Sequence, residues 1–365
     1  MRTAYVAKQC SSGNYFHYAE SSASIPQGPL YYFFECFLGI FGITEYLKLL
    51  RIEIIISQLC IFLSLIIFRK YLDERILALS ISCYVINPYL IVSTRNTSSH
   101  FHQEVMLILF FYLLFSRNKN KKNSFFFGLL IALLFSVYYL LFAFCIFVLI
   151  LILKNTKYFT SLFFGLFSGF IINLLIYLPY LDKNIIPNFA VNNRSWGLTS
   201  YWRILIDVLS GKSIITKVSN YQDYADLVEE FQYFNFLIKL NLFLVFFLII
   251  LAVSQLYKID FDEVNFIGLC IFILFGVFLT LADIALYPHY FFQIFFFGYF
   301  VVFRFVKNKK ILEIAILIFC ISSIAIFYSF SKYIQNNGGA SKSDYGIVYE
   351  LCGCCVEDAK TCRGQ

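Results

Sequence analysis

Residues 125–153 read FFFGLLIALLFSVYYLLFAFCIFVLILIL, and none of them is charged. These 29 residues would form about 43 Å of α-helix, but the hydrocarbon core of a bilayer is about 30 Å thick. The stretch is therefore too long for one upright crossing and short for two. We predict a hairpin of two short membrane helices that turns near Tyr138 and Tyr139, although no glycine or proline marks the turn.

The composition extends this interpretation to the whole chain. Of the 365 residues, 60% are apolar, 21% are aromatic and 14% are charged, whereas soluble domains are about 45–50% apolar and about 25% charged. The composition excludes a soluble globular protein and indicates an integral membrane protein. The net charge of +7 is spread over many short loops and forms no basic stripe, which excludes nucleic-acid binding.

Ten apolar stretches match the length of about 20 helical residues that crosses a bilayer. They are residues 44–68, 76–93, 101–115, 125–138, 139–153, 158–178, 234–256, 264–281, 287–305 and 311–330. Residues 29–42 are apolar but too short to cross, which predicts a helix in the membrane interface. The sequence thus predicts an all-α, polytopic membrane protein of about ten spans with one outer interfacial helix.

Basic residues predict the orientation, because short cytoplasmic loops hold Lys and Arg. Basic groups fall on alternate turns: Arg69, Lys70 and Arg75; Arg117, Lys119, Lys121 and Lys122; Lys154 and Lys157; and Arg304, Lys307, Lys309 and Lys310. We assign these turns to the cytoplasm. Three parts follow: residues 1–43 before the first span, a membrane domain 44–330 with a long outer loop 179–233, and an outer tail 331–365.

The eleven cysteines fall into two groups. Seven are scattered one per element and are predicted to be free, inert apolar side chains: Cys10, Cys36, Cys60, Cys83, Cys145, Cys270 and Cys320. The other four cluster in the tail: Cys352, Cys354, Cys355 and Cys362. Because the cluster lacks paired Cys-x-x-Cys spacing, disulfides are favoured there over a metal site, and an incidental tail remains an alternative.

Short motifs along the chain carry a family resemblance. In chain order they are Pro29-Leu30-Tyr31-Tyr32, Phe41-Gly42-Ile43-Thr44-Glu45, Leu50-Arg51, Asn87-Pro88, Ser93-Thr94-Arg95, Pro288-His289-Tyr290, Asn337-Gly338-Gly339 and Asp344-Tyr345-Gly346. Together they resemble the bacterial GT-C glycosyltransferases, in the branch of dolichyl-phosphate-mannose protein mannosyltransferases and the lipid A aminoarabinose transferase. The resemblance covers almost the whole chain in order.

The resemblance implies an activity. Members move a sugar from a polyprenyl-phosphate-linked donor to an acceptor, which can be a glycolipid, a cell-envelope glycan or a protein, on the outer face of the cytoplasmic (inner) membrane. The family's first outer loop opens with an Asp-Glu pair whose Asp is the expected base. This sequence joins the pattern just after that pair, at Tyr5-Val6-Ala7, so we expect the true start to lie upstream. A fragment without its base is the alternative.

The resemblance and the residue types together give the candidate site. The predicted catalytic residues are Glu20, Arg95, His289 and Tyr290. Glu20 is also the candidate ligand of a possible divalent metal, with a solvated loop carboxylate as its alternative. Arg95 could clamp a phosphate, and His289 with Tyr290 could face the same phosphate or a metal; each could instead be an interfacial anchor.

The predicted substrate-binding residues are aromatic and cationic. They are Tyr31, Tyr32, Tyr139, Lys183, Arg194, Trp196 and Trp202, and Tyr201 and Arg203 share the outer loop with the last of these. The predicted partners are a polyprenyl-phosphate-linked sugar donor, membrane lipid and an unknown acceptor. A carrier or flippase for a lipid-linked glycan, or a non-catalytic relative, is the alternative function.

Overall fold

The computed structural model describes residues 2–13, 30, 33–93, 100–137, 139–178, 198–217, 221–255, 262–270, 274–277 and 292–336. The regular elements among them are helices, with no strand in these ranges, so the predicted all-α class is confirmed. The chain divides into two compact units, Met1–Tyr71 with Thr97–Ser195 and Leu72–Asn96 with Trp196–Gln365.

Fifteen α-helices follow one another along the described residues. They are α1 (Arg2–Ser11), α2 (Phe33–Ile40), α3 (Tyr46–Phe68), α4 (Glu74–Ile86), α5 (Pro88–Ser93), α6 (His100–Ser116), α7 (Lys121–Val137), α8 (Tyr139–Ile152), α9 (Phe159–Tyr177), α10 (Leu198–Leu209), α11 (Tyr221–Glu230), α12 (Phe234–Gln255), α13 (Glu263–Cys270), α14 (Phe292–Phe305) and α15 (Lys309–Asn336). Two short 3-10 helices, Leu153–Asn155 and Lys212–Lys217, follow α8 and α10.

Three of the described helices are long and apolar enough to cross a membrane: α9, α12 and α15. Their mean hydropathies over 18 residues are 2.0, 2.8 and 2.5. Phe163, Phe164 and Phe167 of α9 are more than half exposed, as expected of side chains that face lipid rather than water. The chain is therefore a membrane protein by the length and composition of these helices, and the count of ten spans stays a prediction.

The two helices predicted for residues 125–153 form a helical hairpin, whereas their crossing of a membrane stays a prediction. Helices α7 and α8 are separate, and α8 begins at Tyr139, whereas Tyr138 lies outside the described residues. At the open end of the hairpin, Asn118 Nδ2 donates to the carbonyl oxygen of Asn155 at 2.9 Å, and Lys157 N donates to Asn118 Oδ1 at 2.8 Å. One continuous helix would hold these turns about 55 Å apart.

Helices α7 and α9 of the first unit pack through small residues. A Cβ added at Gly128 would lie 2.2 Å from the carbonyl oxygen of Leu162, and one added at Gly165 would lie 2.0 Å from that of Phe125. The buried Asn173 donates to the carbonyl oxygen of Ala132 at 2.6 Å. Small residues that let two backbones meet, joined by a side-chain amide, are the usual means of helix association in membranes.

The basic turns lie at one end within each unit. In the first unit, Lys119 Nζ lies 4.4 Å from the centre of the Tyr71 ring, and the Asn118–Asn155 bond joins the two later basic turns. In the second unit, Arg75 forms an ion pair with Glu313, near the start of α15. This arrangement supports the predicted clustering of basic turns unit by unit.

The predicted span 76–93 is not one continuous helix. It breaks between α4 and α5 at Asn87 and Pro88, because proline cannot continue the hydrogen bonding of the helix before it. Asn87 Oδ1 accepts from the backbone N–H groups of Tyr89 and Leu90 and thereby caps α5. The predicted outer loop 179–233 also departs from a simple loop, since α10 and α11 form within it.

The prediction for two cysteines is wrong. Cys10 and Cys36 are not free apolar side chains but form a disulfide that joins α1 to α2, with their Cα atoms 5.2 Å apart. The reason is that two helices 26 residues apart in sequence pack side by side, which scattered spacing does not reveal. Cys83, Cys145 and Cys270 are free and buried, as predicted.

Candidate functional site

Most of the predicted site residues lie outside the described residues. These are Glu20, Tyr31, Tyr32, Arg95, Lys183, Arg194, Trp196, His289 and Tyr290. Tyr139 is the first residue of α8, and Trp202 lies on α10. The tail cysteines Cys352, Cys354, Cys355 and Cys362 also lie outside. Of the predicted site, the structure therefore describes mainly the part of the outer loop that forms α10.

Helix α10 has one buried face. Tyr201 is fully buried and packs against Gly276, where an added Cβ would lie 2.4 Å from the tyrosine ring. Burial raises the pKa of Tyr201, so its hydroxyl stays protonated. The Trp202 ring meets the Tyr201 ring edge to face at 5.6 Å. Tyr201 thus holds α10 in place, and Arg203, two residues later on the same helix, lines a groove.

The groove lies between α10, the 3-10 helix after it and the first half of α12. It has a volume of about 410 Å³ and is open to the surface. Its walls are formed by Arg203, Ile206, Asp207, Lys212, Lys239, Leu242, Phe243 and Phe246. Trp202 is not among these residues. Of the neighbouring pair Trp202 and Arg203, only Arg203 lines the groove.

The groove carries net positive charge. Three cations, Arg203, Lys212 and Lys239, face one carboxylate, Asp207. Lys212 Nζ lies 3.0 Å from Asp207 Oδ1, and the two side chains are 33% and 21% exposed. The pair holds the ammonium in place, while the other two cations have no ion pair with a described residue within 4.0 Å. Such a site favours an anionic ligand.

A buried polar node lies where α10 ends, a few residues before Lys212. Asn87 Nδ2 donates to the carbonyl oxygens of Val208 and Leu209, at 3.0 and 3.2 Å, where α10 ends. It also donates to the Tyr299 hydroxyl at 2.9 Å, and that hydroxyl in turn donates to the carbonyl oxygen of Leu209. These bonds satisfy carbonyls that a helix end leaves free. The node therefore fixes the residues that precede Lys212.

The turn before Lys212 needs glycine. Gly211 has a φ of +77°, a conformation that other residues adopt at a cost. An added Cβ would also lie 2.6 Å from the ring of Pro88, beside Asn87. The break between α4 and α5 and the turn after α10 thus fit together, and the position of Lys212 depends on both.

The depth of the groove follows from α12. The Gln255 side chain, at the end of α12, accepts from Lys307 N at 2.6 Å, so this end of the helix lies beside a basic turn. Lys239 is 16 residues earlier, which is about 24 Å along the helix axis. Lys239 therefore lies toward the end of α12 that is opposite to this basic turn. Phe243 and Phe246, one and two turns after Lys239 on α12, are 63% and 52% exposed.

This arrangement can bind a phosphate with an apolar chain. Arg and Lys are the side chains that donate to phosphate oxygens, and the exposed aromatics continue from them into the apolar zone. The described ranges hold no group of three or more His, Cys, Asp or Glu side chains placed to bind a metal ion. The candidate metal ligand Glu20 lies outside those ranges, so the predicted divalent metal stays a prediction.

The residue-by-residue prediction missed Lys212 and Lys239. A signal for Lys239 exists, because it is a lone cation inside the apolar stretch 234–256. For Lys212 the signal is its place directly after a glycine that ends an amphipathic segment. No protein-family model, no curated protein and no solved structure matches the chain.

Proposed function

We propose that the protein is a glycosyltransferase of the cytoplasmic membrane that moves a sugar from a polyprenyl-phosphate-linked donor to an acceptor on the outer face. The observation that carries the proposal is the groove, whose lining combines Arg203, Lys212 and Lys239 with the exposed apolar side chains Phe243 and Phe246 of α12. A lipid phosphate has the same two parts, an anionic group at headgroup depth and an apolar chain below it. The motif resemblance supplies the sugar-transfer step.

The groove residues have separate roles in this proposal. When the glycosidic bond breaks, the carrier phosphate gains negative charge, and the three cations would stabilise that charge. Asp207 holds Lys212 in position through their ion pair. Phe243 and Phe246 would contact the prenyl chain. The acceptor proton would go to a carboxylate base, for which Glu20 is the candidate in this sequence.

Two features of the first unit agree with the orientation that the basic turns predict for that unit. The Cys10–Cys36 disulfide precedes α3, and disulfides persist on the oxidising side of a membrane. Lys119 contacts Tyr71, three residues after the end of α3. The disulfide and the cations therefore mark opposite ends of that helix, in agreement with the rule that Lys and Arg stay inside.

Photolabelling of the full chain in lipid nanodiscs tests the groove. A diazirine-bearing polyprenyl phosphate is cross-linked to wild type and to Arg203→Ala and Lys239→Ala, and the labelled fraction is measured by mass spectrometry. Loss of one charge-assisted hydrogen bond corresponds to roughly tenfold weaker labelling or more. Lys332→Ala removes a lysine of α15 that does not line the groove, and we expect it to label like wild type.

The outcomes separate the possible functions. Equal labelling of wild type and both groove variants would refute the assignment of the groove. Competition by inorganic phosphate alone would identify a site for free phosphate instead of lipid phosphate. If the groove binds the carrier, a radiolabelled polyprenyl-phosphate sugar then tests chemistry. Transfer of the label to an endogenous acceptor supports the enzyme, whereas movement of the intact donor between leaflets supports the alternative carrier.

A further inference from the structure

We propose that α2 is a membrane-surface anchor whose aromatic face docks on lipid beside the N-terminal end of α3. This surface belongs to the first unit and does not depend on the groove or on sugar transfer. The face consists of Phe33, Phe37, Ile40 and Phe41, spaced by four, three and one residues along the helix and its final turn. Their exposed fractions are 67%, 47%, 54% and 67%.

The opposite face of α2 is held against α1. Gly39 meets α1 backbone to backbone, since an added Cβ would lie 2.1 Å from the carbonyl oxygen of Ala7. The Cys10–Cys36 disulfide closes the same contact covalently. Because α2 cannot rotate about its axis while both contacts hold, the aromatic face is fixed outward.

A small core sets the height of α2 in the membrane. Ala7 of α1, Leu38 of α2 and Leu49 of α3 are buried together, with Ile43 and Ile52 packed against them. The core thus places α2 at the first turns of α3, next to Lys48, which forms an exposed ion pair with Glu45 at 2.8 Å. An exposed ion pair marks headgroup depth and not the hydrocarbon core.

The end of α2 keeps it close to α3. Gly42, with a φ of +77°, donates to the carbonyl oxygen of Gly39, and Ile43 N donates to that of Leu38. This pattern is the Schellman motif, which stops a helix and turns the chain. Five residues separate Ile40 from Tyr46, so the two helix ends can be at most about 22 Å apart. Helix α2 therefore stays at the surface where α3 begins.

The size of the face favours lipid over a second copy of the chain. Four side chains with these exposed fractions present roughly 450 Å², whereas a stable protein interface takes about 800 Å² from each partner. The helix is also about 12 Å long, too short to cross a bilayer. A short apolar face on a helix bound to the start of a span is typical of an interfacial helix.

Site-specific cross-linking of the full chain tests this proposal. Benzophenylalanine is placed at Phe37, and as a control at Ser11, an exposed residue of the partner helix α1. Both variants are irradiated in vesicles of phosphatidylglycerol and phosphatidylethanolamine, and adducts are identified by mass spectrometry. We expect lipid acyl adducts at position 37 to exceed those at position 11 by about tenfold or more, the ratio expected for burial of one aromatic side chain.

Three results would overturn the proposal. These are equal lipid adducts at both positions, no lipid adduct at position 37, and adducts at 37 that join two copies of the chain. Both substitutions replace exposed side chains, so failure to fold does not confuse the result. A free thiol at Cys10 in the untreated protein, detected by alkylation, would separately remove the covalent support for the fixed face.

Discussion

The two units of the molecule use glycine differently. In the first unit, three glycines receive the backbone of a neighbouring helix: a Cβ added at Gly39, Gly128 or Gly165 would lie 2.0–2.2 Å from a carbonyl oxygen. Such an oxygen cannot move without its whole helix. At each of these three glycines, which we call glycine seams, the backbones of two helices are in contact. The distance between the two helices depends on the absence of a side chain at the glycine.

In the second unit, three glycines receive side chains instead. A Cβ added at Gly211, Gly268 or Gly276 would lie 2.3–2.6 Å from atoms of a proline, a valine or a tyrosine. Buried amides such as Asn87 and Asn241 also join the helices of this unit. The comparison predicts that added volume is less tolerated at the three glycines of the first unit than at those of the second unit.

The largest effect is expected where a glycine seam also carries the disulfide. Replacement of both Cys10 and Cys36 by Ser opens a loop with a sequence separation of 26, which corresponds to about 3.5 kcal/mol in the chain-entropy account. Tryptic cleavage after Lys8 should become much faster than in wild type. Cys145→Ser, at a buried free cysteine on another helix, is the control. Unchanged cleavage would mean that the Gly39 contact alone holds α1.

The next effect is expected at the seam between α7 and α9. Gly165→Ala places a methyl group against the carbonyl oxygen of Phe125, and overpacking of this kind costs about 3 kcal/mol. Phe167→Ala removes many more atoms, but from a side chain that is 56% exposed, and should cost less than about 1 kcal/mol. Unfolding by detergent titration measures both. A larger loss of stability for Phe167→Ala than for Gly165→Ala would contradict the close backbone contact at Gly165.

The polar node of the second unit should be less sensitive. Asn87→Leu keeps the side-chain volume but leaves two carbonyls of α10 and the Tyr299 hydroxyl without their amide donor, which costs about 2 kcal/mol. Ser82→Ala, at an exposed serine of the same helix α4, is expected to be neutral. If Asn87→Leu leaves stability unchanged but weakens binding in the groove, the node positions Lys212 without supporting the fold.

The sequence predicted the parts of the fold that depend on local composition. The length of the uncharged stretch 125–153 was enough to predict two helices, because one helix of that length does not fit a bilayer. Residues 311–330 predicted α15, although the helix extends to Asn336. Asn87-Pro88 is a helix-break signal, yet the predicted span 76–93 runs through it, because the residues on both sides of the proline are apolar.

Long-range contacts could not be predicted in this way. The partners of Asn87 are 121, 122 and 212 residues away, and nothing in local spacing indicates them. The same limit applies to Cys10 with Cys36 and to the groove, where Lys212 and Lys239 come together from different helices. Composition could indicate a cationic outer loop, but which cations share one site depends on how α10 packs against α12.

The smallest effect is expected at Gly276, and it tests the comparison most directly. Gly276→Ala pushes on the ring of Tyr201, which is a side chain and not a backbone carbonyl, and should cost about 1 kcal/mol. Tyr201→Leu opens space for the added methyl group. The double variant should therefore lose about 1 kcal/mol less stability than the sum of the two single variants. In the first unit, Phe125→Ala leaves the obstructing carbonyl oxygen in place, and its effect should simply add to that of Gly165→Ala. Additive losses at Gly276 with rescue at Gly165 would mean that the two units do not differ in the way their glycines are packed.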